Sequence, residues 1–173
     1  MVRSREKVEM GEARAQQLTI VRHAVAGRRA SFDGPDTDRP LTKRGRAQAR
    51  ALVEPLAHSD VRAIVSSPAR RCIETVTPLA EHLGMAVETV DALSEDSTGD
   101  AALAALLARG SETSGIVVGS THGPIFDDLL RLAAAELAIS GLRQISKAGR
   151  LELTLSDGVI VAIEAFAAPE IED

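Results

Sequence analysis

Leu18-Thr19-Ile20-Val21-Arg22-His23 and Ile116-Val117-Val118-Gly119-Ser120-Thr121-His122-Gly123-Pro124 share one design. Each is a short apolar run, rich in β-branched residues, that ends in a histidine. Such runs read as buried strands. Between them the pattern switches to helical spacing and back. Thr42 caps a helix running to about His58, with Ala47, Leu52 and Leu56 on its buried face. Pro55 predicts a kink or an early end. Val61–Val65 is a second strand. Ser67-Pro68 starts the next helix. Ile73, Val76, Leu79, Ala80 and Leu83 form its apolar face, and Gly84 ends it. Pro78 stands inside that helix against local rules.

Ala86–Val90 reads as a third strand, and Ile116–Gly119 is the fourth. Asp100 caps a helix through Arg109 that buries Leu103, Leu106 and Leu107. Pro124 opens a helix to about Ala138. Leu151–Leu155 and Val159–Phe166 flank the turn Ser156-Asp157-Gly158. Residues 24–41, with Gly27, Gly34, Pro35 and Pro40, form a loop. Alternating strands and helices predict an α/β fold, a three-layer α/β/α sandwich around a mostly parallel sheet. The closing hairpin predicts an antiparallel edge strand. Residues 1–17 read as an N-terminal arm, helical from Glu6 to Gln17, ahead of a single domain over 18–173.

The chain has 173 residues, 45% hydrophobic and 26% charged, as expected of one globular domain. Its single cysteine, Cys72, forms no internal disulfide. The apolar runs are too short for a membrane span, and the charged N-terminus lacks a signal-peptide core. These features predict a cytoplasmic protein that works away from membranes. Only three aromatics (Phe32, Phe126, Phe166) are present beside 28 alanines, which speaks against stacking on nucleic acid. Charge is divided: residues 1–71 carry +7 and residues 72–173 carry −12. Arginine outnumbers lysine 17 to 3, and its planar fork suits phosphate.

In open α/β sheets ligands bind at the carboxyl ends of the strands. There the first strand presents Arg22 and His23. The second presents Ser67, with Arg70 and Arg71 in the following turn. The third is followed by Ser94-Glu95-Asp96, and the fourth ends in His122. Arginines grip phosphate bidentately, and a neutral histidine is a competent phosphoryl acceptor.

This constellation resembles the histidine phosphatase superfamily, the phosphoglycerate mutase-like fold family. Four segments carry the resemblance, in order: Arg22-His23; Arg39-Pro40-Leu41-Thr42 with Gly45; Ser67-Pro68 with Arg71 and Thr75; and Thr121-His122-Gly123-Pro124. Ala24 stands where the family usually has glycine. Thr75 and Gly99 lie 24 positions apart, too few for a large cap, so the short phosphohistidine phosphatases of SixA type are most similar. The resemblance implies that His23 attacks phosphorus and forms a phosphohistidine. Arg22, Arg71 and His122 would hold the phosphoryl oxygens, with Ser67 in support. Water would release phosphate without a metal or other cofactor. Glu95 is the candidate general acid, with Asp96 and Asp100 as rivals. The implied substrate is a phosphorylated protein, such as a histidine-phosphotransfer domain; a small phosphate ester is the second choice. A non-catalytic phosphate- or phosphoprotein-binding module is the alternative outside catalysis.

Other chemistries find no support. Cys72 has Pro78 where a cysteine phosphatase loop needs arginine. No Walker sequence, dinucleotide fingerprint or zinc spacing is present. Asp36-Thr37-Asp38 follows no strand, as an aspartyl-phosphate enzyme would require. His58 and His82 read as surface residues near helix ends.

Overall fold

The computed structural model describes residues 15–58, 60–140 and 144–171. The first strand, β1, spans Ala15–Arg22. Helix α1 (Lys43–Ala51) is followed by the single turn α2 (Val53–Leu56). Next come β2 (Val61–Ser66), α3 (Arg70–Leu83), β3 (Val87–Thr89) and α4 (Gly99–Thr113). Then β4 (Ile116–Thr121), α5 (Gly123–Glu136), β5 (Arg150–Ser156) and β6 (Val159–Phe166) complete the order.

The sheet order is β3-β2-β4-β1-β5-β6, with parallel pairing from β3 through β1. Alternate strand residues feed two cores. Leu18, Ile20, Ala63, Val65 and Val117 pack with Leu106 of α4 and Phe126 of α5. Val21, Ile64 and Val118 pack with Leu52, Val76 and Leu79 on the other face. Three α/β/α layers result, as the periodicity predicted. The reversed strand is β5, antiparallel to both β1 and β6, so it sits one place in from the edge. Among the described residues no helix is long and apolar enough to cross a membrane.

Several boundaries differ from the sequence reading, each for a local reason. Ala15–Gln17 are strand rather than helix, because β5 offers partners from Thr154 to Ser156. The rest of the proposed arm helix lies outside the described residues. The first helix breaks at Leu52, so Pro55 falls in the first turn of α2, where its missing N–H costs little. Gln48 takes the buried place expected for Ala47, because its Oε1 accepts from Val25 N (3.1 Å). Helix α3 starts at Arg70, not at Ser67-Pro68. Ser67 Oγ instead accepts from Ala69 N (3.3 Å) in the loop ahead of the helix. Pro78 rides inside α3 without ending it, flanked by the buried Val76, Leu79 and Ala80. Thr98, not Asp100, caps α4 through Ala101 N (3.2 Å).

The loop over residues 24–41 is anchored at both ends. Ala26 bridges Leu41, and Thr42 N and Oγ1 both donate to Val25 O, at 2.9 and 3.1 Å. Gly45 packs onto the same carbonyl: a Cβ there would lie 2.0 Å from Val25 O. Gly45→Ala is therefore expected to lower stability by about 1–3 kcal/mol, read as a lower urea midpoint with unchanged slope.

Candidate active site

The backbone brings the predicted residues together. Register pairs Arg22 with Thr121 across β1 and β4, and Ser66 with Ser120 across β2 and β4. His23 N then donates to Thr121 O (2.9 Å), and Ser67 N donates to Ser120 O (3.0 Å). His23, Ser67 and His122 thus leave three adjacent strands at one edge. The rings of His23 and His122 lie 5.6 Å apart, edge to face. Thr75 Oγ1 accepts from Ala24 N (3.0 Å) and donates to Arg71 O (2.7 Å), tying α3 to the nucleophile loop.

Hydrogen-bond partners fix the protonation of both histidines. His23 Nδ1 lies 2.8 Å from Ala24 O, which only accepts, so the proton sits on Nδ1 and Nε2 keeps its lone pair. Arg71 Nη2 only donates, so His122 Nδ1 accepts from it (3.1 Å), and Nε2–H donates to Ser67 Oγ (2.8 Å). Burial, aided by the Arg71 charge, pulls His23 down to about 3 and His122 to about 4. Both rings are neutral at neutral pH.

Arg71 is the hub. Its Nη1 meets Asp36 at the carbonyl (2.8 Å) and at the carboxylate (3.1 Å), and its Nη2 meets Glu95 Oε2 (3.1 Å). Arg29 Nη2 shares that Glu95 oxygen (2.9 Å). Arg39 and Arg29 hold the Asp36 carboxyl well below the usual carboxylate range. Arg22 Nη1 donates to Ile145 O (2.7 Å), and its guanidinium passes close over Gly123, where a Cβ would lie 2.9 Å from Nη2. Arg22 Nε and Arg71 Nε are buried with no partner among the described residues. An unsatisfied buried donor costs about 1–3 kcal/mol, a penalty that an anion accepting from them relieves.

Two clefts, of about 420 and about 710 Å³, meet at Arg29, Arg71 and Glu95. His23 and Arg22 line the first; Ser67 and His122 line the second. All six predicted site residues converge here. Asp96 lines the wider cleft, whereas Asp100 faces a separate hollow beside Asp128. Arg70 is exposed and paired with Glu74. The sequence reading missed Arg29 and Lys147 and gave Asp36 no role at this site. Arg29 and Asp36 belong to the loop over 24–41, whose charge was visible but not its fold-back onto Arg71. Lys147 precedes Ala148, whose φ of +63° costs about 1–3 kcal/mol. Ala148 N donates to Arg22 O (3.0 Å), and Arg22 N donates to Gly149 O (3.0 Å), so that turn is fastened to the nucleophile strand. Among the described residues no group of three or more His, Cys, Asp or Glu is placed to hold a metal ion.

The two depressed histidines link stability to pH. In the unfolded chain they titrate near 6.5; in the folded chain, near 3 and 4. Between those values the unfolded state binds more protons, so stability rises with pH. Their contribution is complete above about pH 6.5 and is lost as pH falls toward 4. The urea midpoint is expected to drop between pH 7 and pH 5, and His23→Gln should shrink that drop.

Residues 18–105 match the sequence profile of the histidine phosphatase superfamily (branch 1). An 8-oxo-(d)GTP phosphatase of Mycolicibacterium smegmatis is 32% identical over 160 residues, 88% of this chain and 48% of that protein. The chain thus spans about half the length of this curated relative. The fold is similar to that of a SixA-type protein from Nakamurella multipartitia (24% identity, TM-score 0.67, covering 89% of this chain and 98% of that one). It is also similar to a mycobacterial glucosyl-3-phosphoglycerate phosphatase (21% identity, TM-score 0.66, covering 91% and 100%). The profile match covers about half of the chain, on the strands and loops that build the Arg22, His23 and Arg71 cluster, and the chain belongs to the histidine phosphatase superfamily.

Proposed function

We propose that the chain is a phosphatase that works through a phosphohistidine at His23 and needs no metal ion. The observation that carries this reading is the neutral His23 ring, fixed through Nδ1 on Ala24 O, with its Nε2 lone pair beside Arg22, Arg71 and His122. Nε2 attacks phosphorus, and the bond from phosphorus to the leaving group breaks. Arg22 and Arg71 meet the charge on the phosphoryl oxygens, beside the His122 ring that Ser67 and Arg71 hold in one tautomer. The proton stays on Nδ1, donated to Ala24 O, so the phosphorylated ring is cationic and a good leaving group. Water then attacks phosphorus and regenerates neutral His23 with inorganic phosphate.

Glu95 narrows the substrate. Its Oε2 is engaged as an acceptor by both Arg29 and Arg71. The reading therefore favours leaving groups that depart without a strong acid. Imidazole, with a pKa of about 6.5, is one. A phosphohistidine protein such as a histidine-phosphotransfer domain fits that chemistry, and the short β3–α4 connection, residues 90–98, builds no large cap against a folded partner. A phosphoanhydride is the second reading, since phosphate monoanions also titrate near pH 6. The name of the Mycolicibacterium relative favours it. We place this work in the cytoplasm.

His23→Ala should fold and lose essentially all turnover of p-nitrophenyl phosphate, together with the acid-labile label trapped from a radiolabelled substrate. Wild-type turnover in that variant would overturn the mechanism, and a wild-type protein that binds phosphate without turnover would mark a binding module. Activity is expected to survive a chelator, because the arginines stay charged. Glu95→Gln should cost phosphohistidine hydrolysis far less than the about 100- to 10,000-fold loss seen when a needed general acid is removed. A loss of that size on phosphohistidine would make Glu95 the acid after all.

A further inference from the structure

On the phosphatase reading Arg22, Arg71, His23 and His122 serve one phosphoryl group, and two further cations of the same cleft, Arg28 and Lys147, have no ion-pair partner among the described residues. Arg28 is exposed, whereas Lys147 is half-buried. The charges of Arg29 and Arg39 are answered by Asp36, and Glu95 answers Arg29 and Arg71. Lys147 lines the cleft that holds Arg22 and His23, with no hydrogen bond or ion pair to any of the described residues. Its charge is felt at His23.

Lys147 is also held there by the backbone. Gly149 N donates to Ser146 O (3.0 Å), closing a four-residue turn with Lys147 at its second position. The third, Ala148, is fully buried with a left-handed φ of +63°, which few non-glycine residues adopt. Ala148 N and Gly149 O both bond the main chain of Arg22, and Arg22 Nη1 bonds Ile145 O. The base of the lysine is thus set by the residue that precedes the nucleophile. Its amine is half-buried among like charges, and burial together with Arg22, Arg39 and Arg71 lowers its pKa. A strained turn that carries an unanswered cation to this spot is expensive unless an anion completes it.

We propose that Lys147 is a specificity-determining residue that binds a second phosphate adjoining the transferred one, so the site takes a diphosphate chain. This rests on the phosphatase reading above and selects the phosphoanhydride as its substrate. His23 Nε2 attacks the terminal phosphorus, and the bond from it to the bridging oxygen breaks. The bridging oxygen leaves with the inner phosphate, whose new charge Lys147 meets. Water then hydrolyses the phosphohistidine to inorganic phosphate. No proton donor is required, in keeping with Glu95 as an acceptor.

Binding tests this without turnover when the bridging oxygen is replaced by carbon. Calorimetry with methylenediphosphonate, the non-hydrolysable analogue of inorganic diphosphate, and with inorganic phosphate should show tighter binding of the diphosphate analogue to the wild-type protein. Lys147→Ala should cut the ratio of the two affinities by about tenfold or more, the usual worth of a charge-assisted contact, and Lys147→Arg should restore most of it. In turnover, the ratio of kcat/KM for a nucleoside diphosphate over p-nitrophenyl phosphate should fall in parallel. A ratio within about twofold of wild type in Lys147→Ala, equal losses for both ligands, or no diphosphate preference in the wild type would each overturn the proposal. A missing His23 label with the diphosphate preference intact would instead defeat the phosphatase reading and leave the subsite standing.

Discussion

Parallel pairing of β1 with β4 is the constraint from which the site follows. Strand register is fixed by which face is buried, and a one-residue slip turns every side chain over. Leu18 and Ile20 face one core and Val21 the other, so the Arg22–Thr121 pairing has no alternative that keeps both cores dry. His23 and His122 are then neighbours because each is the first residue past its strand. The pairing of β2 with the other side of β4 delivers Ser67 by the same rule.

Burial and charge act together within that frame. Arg71 is 2% exposed, and a guanidinium buried to that degree must be answered. Asp36, Glu95 and His122 answer it, and in doing so they fix the tautomer of His122 and the position of the loop over 24–41. Desolvation holds His23 and His122 neutral, and the Arg71 charge adds to it. The groups that attract an anionic phosphate thus also keep the nucleophile unprotonated.

Close approach and strain mark the supporting structure. Gly123 lets the Arg22 guanidinium pass, and Gly45 lets α1 sit on the Val25 carbonyl. Ala148 accepts a left-handed backbone to keep the segment before β5 on Arg22. These features lower stability locally and hold the arginines in place.

The order of elements, the layering and the histidine-bearing strand ends were legible in the chain, because buried strands and amphipathic helices have distinct periods and β-branched runs mark strand cores. Arg22, His23, Ser67 and His122 were legible from their places at or just past strand ends, whereas Arg71 over Arg70 and Glu95 over its neighbouring acids were picked out by the resemblance to the histidine phosphatase superfamily. Boundaries were not, where a distant partner decided them. Ala15–Gln17 became strand because β5 returned beside them, and Ala47 yielded its buried place to Gln48 because Val25 needed an acceptor. The roles of Arg29, Asp36 and Lys147 lay wholly in the tertiary structure. Their side chains reach the site from irregular loops, whose paths no short-range pattern encodes. Protonation of the histidines was settled there too, since it depends on burial and on a carbonyl and a guanidinium that only the folded chain brings within bonding distance.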